Sequence, residues 1–195
     1  HLTGDDVREA ALRMTKMAEE YHERTRDFSG TISTRLPFML FRRPEDYYAA
    51  GGLAGSAGIF DGHKLMAIAG DKLTPMTWHV IQHEGFHQFA HAVIRGNLPP
   101  WVNEGLAEYF GEGIFTGDGF VTAVIPPSRL ARVQAAITDR QFKPFREMFL
   151  LSQKDWNDNM AMTNYDQAWA MVHFLAHGDD GKYQKPFVRF MNLLG

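Results

Sequence analysis

Residues His83-Glu84-Gly85-Phe86-His87 set two imidazoles four positions apart, with a carboxylate directly after the first. On an α-helix, side chains at i and i+4 lie one above the other, so His83 and His87 can offer ring nitrogens to a single tetrahedral Zn²⁺. Glu84 falls about 100° further round the helix at 3.6 residues per turn, too far round to be a ligand but able to reach a water on the metal. That is the position of a general base, and the chemistry it implies is hydrolysis by a zinc-bound water whose pKa the metal lowers towards neutrality. The competing reading is a helix whose histidines are ordinary core or surface residues.

The segment carries its own helix punctuation: Thr74 as N-cap, Pro75 at the first helical position and Gly96 just past the end. A helix over about 75–95 follows, with Met76, Val80, Ala90 and Ile94 flanking the histidines in an inward-facing stripe. His79 and His91 extend the ladder by one turn each way. Neither is assigned as a ligand, because each sits off the His83 direction and one tetrahedral ion cannot use four imidazoles. His91 leans to the Glu84 side.

A third ligand distinguishes the zinc families. A metzincin needs His six residues after the second ligand and Gly three after it, but those positions hold Val93 and Ala90. Pro99-Pro100-Trp-Val-Asn-Glu-Gly-Leu-Ala-Glu-Tyr-Phe-Gly111 reads instead as a second helix, opened by proline and closed by glycine. Glu104 is the expected third ligand. Glu108, one turn on, shares its face and is placed to accept a hydrogen bond from the outer nitrogen of a ligating histidine; the plain alternative is a solvated surface charge. Val102, Leu106, Tyr109 and Phe110 form the opposite, core-directed side.

His83-Glu-Gly-Phe-His-Gln-Phe89 followed by Pro99-Pro-Trp-Val-Asn-Glu-Gly-Leu-Ala-Glu-Tyr-Phe110 resembles the gluzincin branch of the MA-clan metallopeptidases. Tyr165-Asp-Gln-Ala-Trp-Ala-Met-Val-His-Phe-Leu175 resembles the helix near the end of small bacterial peptidase-MA-like domains. The likeness runs from roughly Leu36 to Leu194. It implies one zinc per chain on His83, His87 and Glu104, Glu84 as base and acid, a peptide or protein substrate, and an extracytoplasmic location. It departs from better-known members in two places. Only sixteen residues separate His87 from Glu104, and Leu65-Met-Ala-Ile-Ala-Gly70 lacks the Gly-x-Met-Glu-Asn pattern with which aminopeptidases hold a free amino terminus. Endopeptidase action is therefore expected rather than exopeptidase action. Gluzincins commonly supply a Tyr or His to the oxyanion from their C-terminal part; Tyr165, His173 and His177 are the candidates. Tyr165 is preferred because it opens a helix after the polar loop Asn157 to Asn164. Its alternative is a ring packed on the core, and His173, in the apolar run Trp169 to Leu175, reads as a buried structural histidine.

The elements that must position these groups make a small α+β, zincin-like enzyme with a small mixed sheet and a mostly helical C-terminal half. One domain is expected over 1–195, with an N-terminal α/β lobe at about 1–96 and a mainly helical lobe at about 97–195; a hydrophobic content of 45 %, with fifteen Phe and four Trp, is enough for its core. Asp5 to Thr25 reads as an amphipathic helix, Leu36 to Arg42 as a strand, Pro44 to Ala50 as a short helix and Ser56 to Gly70 as a hairpin turning at Asp61-Gly62. The second arm, Lys64 to Ala69, is expected to border the cleft and pair with extended substrate, or else to be a plain structural edge. Later come a hairpin over Ile114 to Val124, turning at Asp118-Gly119, and helices over Ser128 to Ala136, Phe145 to Ser152, Tyr165 to His177 and Pro186 to Leu194.

Several classes are excluded as expectations. The net charge of −3 with scattered basic residues argues against a nucleic-acid groove. Gly51 to Gly58 is glycine-rich but lacks the Gly-Lys-Ser/Thr ending of a phosphate loop. The absence of cysteine removes thiol catalysis and disulfides, and no apolar run reaches the ~20 residues of a membrane span. Opening at His1 without Met reads as a trimmed or processed chain in which a signal peptide would be invisible. Two function classes remain: an active zinc peptidase, and a catalytically inactive zincin-fold binding or scaffold domain. Retention of Glu84 beside both histidines favours the first, because a purely structural zinc needs no base and is normally closed by four protein ligands.

Overall fold

A computed structural model of the chain describes residues 2–94 and 96–194. The fold is α+β, mostly helical with a small mixed sheet. It divides into two compact units, the first formed by the described residues of 1–95 with Gly113–Val121, the second by Gly96–Glu112 with the described residues from Thr122 onward.

In the N-terminal unit, α1 (Gly4–Thr25) starts at a capping box in which Thr3 and Asp6 satisfy each other's backbone N–H. It is followed by β1 (Phe38–Phe41), α2 (Pro44–Ala49), β2 (Gly58–Phe60), β3 (Leu65–Ile68) and α3 (Pro75–Val93). β2 and β3 meet at a tight turn, where one Asp61 oxygen accepts from the N–H groups of His63 and Lys64, both at 2.9 Å, and Gly62 takes a φ of +92°. These bonds hold the Asp61 carboxyl below its usual pKa range, the Lys64 backbone bond contributing most.

The strand order is β1-β3-β2, with β1 parallel and β2 antiparallel to β3. This corrects the expected role of the second hairpin arm. β3 is the central strand, both its edges are already hydrogen-bonded, and Leu65, Met66 and Ala67 are fully buried; it has no edge left for substrate. Among the described strands of this sheet, β2 and β1 form the edges. The core joins Ala10 of α1, Leu65 and Ala67 of β3, and Trp78 and Ile81 of α3.

After α4 (Pro100–Gly111) the chain returns to the N-terminal unit for the hairpin β4 (Ile114–Phe115) and β5 (Phe120–Val121). Arg13 explains the attachment: its guanidinium lies 4.3 Å from the Trp78 ring and 4.8 Å from the Phe115 ring, clamping α1, α3 and β4 by cation–π contact.

Among the described residues, the regular elements of the C-terminal unit are helices: α4, α5 (Pro127–Thr138), α6 (Phe145–Leu150), α7 (Gln153–Asn159), α8 (Met162–Gly181) and α9 (Gln184–Leu194). α7 corrects the expected polar loop over 157–164. Ser152, expected inside the preceding helix, is instead the N-cap of α7 in a capping box with Asp155, and α8 begins at Met162, so Tyr165 lies in the first turn. Helical dihedrals in α8 stop after His177, where Gly178 turns extended and Asp179 and Asp180 take positive φ. α4 lies directly against α8 because Gly105 has no side chain: a Cβ there would come within 2.6 Å of the Ala168 carbonyl and of Val172. Trp101 closes the other side, its ring 5.2 Å from Phe149 and 5.8 Å from Phe190.

Gly105→Ala is expected to force α4 and α8 apart and cost about 1–3 kcal/mol, the usual penalty for overpacking, read as a Tm lowered by several degrees.

Candidate metal centre

α3 builds the candidate site from one helix with two unlike faces. Thr74 caps it, its hydroxyl accepting from the Thr77 N–H, and Pro75 occupies the first turn. Trp78, Ile81, Gln82, Gly85, Phe86, Phe89 and Val93 form the buried face. Of the expected stripe, Ala90 is buried, whereas Met76 is 69 % exposed, Val80 and Ile94 are half-buried, and His83 and His87 are half-buried beside the core rather than inside it.

The buried face is fixed by polar groups as well as by packing. Tyr21 from α1 donates its hydroxyl to the Gln82 carbonyl, and its ring meets Phe86 and Phe89 at 5.7 and 5.4 Å. Gln82 Nε2 donates to the Gly113 carbonyl at 3.1 Å, and Gln88 Nε2 to that of Pro37 at 2.7 Å. Gly85 is required here, since a Cβ would fall 2.6 Å from Met14 and 2.9 Å from the Tyr21 hydroxyl. The residue between His83 and His87 that lacks a side chain is thus the one over which α1 crosses.

On the half-buried face the His83 and His87 rings converge, with Nε2 atoms 3.1 Å apart and ring planes at 79°. Two nitrogens bound at about 2.0–2.1 Å to one tetrahedral zinc would lie roughly 3.3 Å apart, so the pair fits two ligand positions. The His79 ring stands 6.3 Å from that of His83. Glu84 is oriented by the edge strand: its Oε2 accepts the Phe60 N–H at 2.9 Å. β2 can come this close because of Gly58, where a Cβ would lie 2.4 Å from Val80 and 3.2 Å from the Glu84 side chain. His91 is exposed, its ring 5.4 Å from Phe60.

In the C-terminal unit, Glu104 and Glu108 are 8 % and 7 % exposed. α4 has no solvated side for them, because every residue from Pro100 to Gly111 except Asn103 is buried. Glu108 is therefore not a surface charge. Its carboxylate pairs with Arg129 of α5, which also reaches Glu112 and Asp166. Tyr165 is half-buried with its ring edge-on to Trp156 at 5.2 Å. His173 is half-buried rather than buried, its Nε2 3.3 Å from the Ala123 carbonyl, and His177 Nε2 is 3.0 Å from the Tyr109 hydroxyl. Side chains that could hold a metal ion are thus present as His79, His83 and His87 in the N-terminal unit and as Glu104 and Glu108 in the C-terminal unit.

Sequence reasoning overlooked Gly58 and Phe60, which place Glu84, and Arg129. Arg129 left a readable signal: it shares the i, i+4, i+7 stripe of α5 with Val133 and Ala136, all three buried.

Burial raises the Tyr21 pKa well above its ordinary value. A raised folded-state pKa contributes stability that is present below the unfolded value of about 10 and lost as pH climbs above it. Denaturant unfolding between pH 8 and 11 should show stability falling above pH 10, and Tyr21→Phe should flatten that fall while costing about 0.5–1.5 kcal/mol at pH 8.

None of the curated proteins or solved structures matches the chain. Residues 78–194 match the family model described as "Protein of unknown function (DUF1570)", a span that starts on the buried face of α3, takes in both histidines and Glu84, and continues through all of α4 to α9. With more than half of its length so matched, the chain belongs to the DUF1570 family.

Proposed function

We propose that this protein is a zinc-dependent peptidase of zincin-like, gluzincin type, acting as an endopeptidase on peptide or protein substrates. The observation that carries the reading is the convergence of His83 and His87 to an Nε2 separation of 3.1 Å, with the Glu84 carboxylate held beside them by the Phe60 N–H. The donor set, two imidazoles with buried carboxylates to complete it, suits zinc.

In this proposal His83, His87 and Glu104 are the ligands, and Glu108 orients a ligating imidazole through its outer nitrogen. Zinc bound there would supply Lewis acidity to the scissile carbonyl and to the attacking water. Glu84 takes the proton from that water and passes it to the leaving amine. With Oε2 fixed by Phe60, Oε1 is the oxygen that handles the proton. Tyr165, in the first turn of α8 with its ring edge-on to Trp156, is the proposed donor to the developing oxyanion. An extended substrate would add to β2, not to β3, because β2 is the sheet edge that runs over Glu84.

Elemental mass spectrometry of the purified protein is expected to find one zinc per chain, lost or weakened in His83→Ala and Glu104→Ala. Glu84→Gln should keep the zinc while hydrolysis of a quenched fluorescent peptide library falls by about 10²–10⁴-fold. Zinc bound by a wild-type protein that cleaves nothing would favour a zincin-fold binding or scaffold domain. A protein that takes up no zinc on reconstitution would sink the proposal.

A further inference from the structure

The C-terminal unit holds an ionic network that shares Glu108 with the proposed metal centre but whose arginines have no part in the proposed reaction. Glu104 and Glu108 of α4 and its C-cap Glu112 recur every four residues and so form one stripe of like charge. Such a stripe inside protein is strongly unfavourable unless it is paired. The pairing comes from α5. Arg129, 4 % exposed, donates from Nε to Glu112 at 2.8 Å and from Nη2 to Glu108, and its Nη1 stands 3.3 Å from Asp166 of α8. Its guanidinium carbon lies 5.4 Å from the Trp169 ring centroid. Arg132, one turn on, grips Asp166 with two bonds of 2.8 Å, and that pairing raises its own pKa.

We propose that Arg129 is a positioning residue for the metal centre: its planar fork holds the Glu108 and Glu112 carboxylates in one plane, fixes the rotation of α4 about its own axis, and thereby aims Glu104. The inference rests on the zinc reading above. A bidentate fork does this and an ammonium does not, because Lys presents a point charge on a flexible stem. Charge balance alone would be equally well served by Lys.

The two roles separate in Arg129→Lys, which keeps the charge and loses the fork. Zinc affinity is measured by competition with a chromophoric chelator, on protein shown by circular dichroism to be folded. Positioning by the fork is expected to weaken zinc binding about tenfold in Arg129→Lys, the lower end of what outer groups around metal ligands contribute. Glu112→Gln, at the half-buried end of the network, should weaken it in the same direction, and the two changes should be non-additive in a double-mutant cycle. If Arg129→Lys does not fold, an unchanged zinc affinity in Glu112→Gln still overturns the positioning role. Zinc affinity within twofold of wild type in either folded variant overturns the positioning role and leaves the metal centre standing. So does tighter binding in Arg129→Met with Arg129→Lys unchanged, which is the pattern of a bare charge effect. A wild-type protein without zinc overturns the metal centre and this inference together.

Discussion

Everything at the candidate site depends on α3 serving two environments at once. A helix advances 100° per residue, so the row that packs Trp78, Ile81, Phe86 and Phe89 into the core necessarily leaves His83, Glu84 and His87 on the neighbouring, half-buried side. The histidines converge because that core row cannot rotate. Tyr21, Gln82 and Gln88 bond to or from this row, and Gly85 lets α1 lie against it. The rotational setting of the helix is therefore decided by groups that face away from the chemistry.

The C-terminal unit solves a different problem. α4 is buried nearly all round, yet carries Glu104 and Glu108 one turn apart, with Glu112 as its C-cap a further turn on. Apolar packing cannot accommodate them, so α5 and α8 bring Arg129, Arg132 and Asp166 to the same place. Replacing that network with hydrophobic residues would be neutral or stabilising in many proteins.

Much of this was legible in the residues. Helix punctuation located α3 to within two residues of its ends, because Thr74 and Pro75 act locally and carry their meaning in the sequence itself. Asp61-Gly62 located the first hairpin turn for the same reason. What could not be read was non-local. Strand order depends on which partners β3 acquires, and a four-residue apolar run looks alike at the centre of a sheet and at its edge. The inward side of α3 is legible at Ala90 but not at Met76 or the histidines, because histidine and methionine do not announce their side, whereas Phe86, Phe89 and Ile81 do. α7 hides among Asn and Asp residues that favour loops, although Ser152 and Asp155 spell a capping box. Arg129 is hard to read because charge is normally a mark of the surface.

The short β2 edge also bears on how the protein keeps company with itself. An exposed strand is a template for a second chain, and long flat edges invite open-ended association. β2 spans three residues, and its Phe60 N–H is already occupied by a carboxylate from α3. An incoming strand finds only a few groups to bond and cannot extend the register, so pairing there is brief and limited to short segments. The bond that orients Glu84 thereby also guards this edge against aggregation.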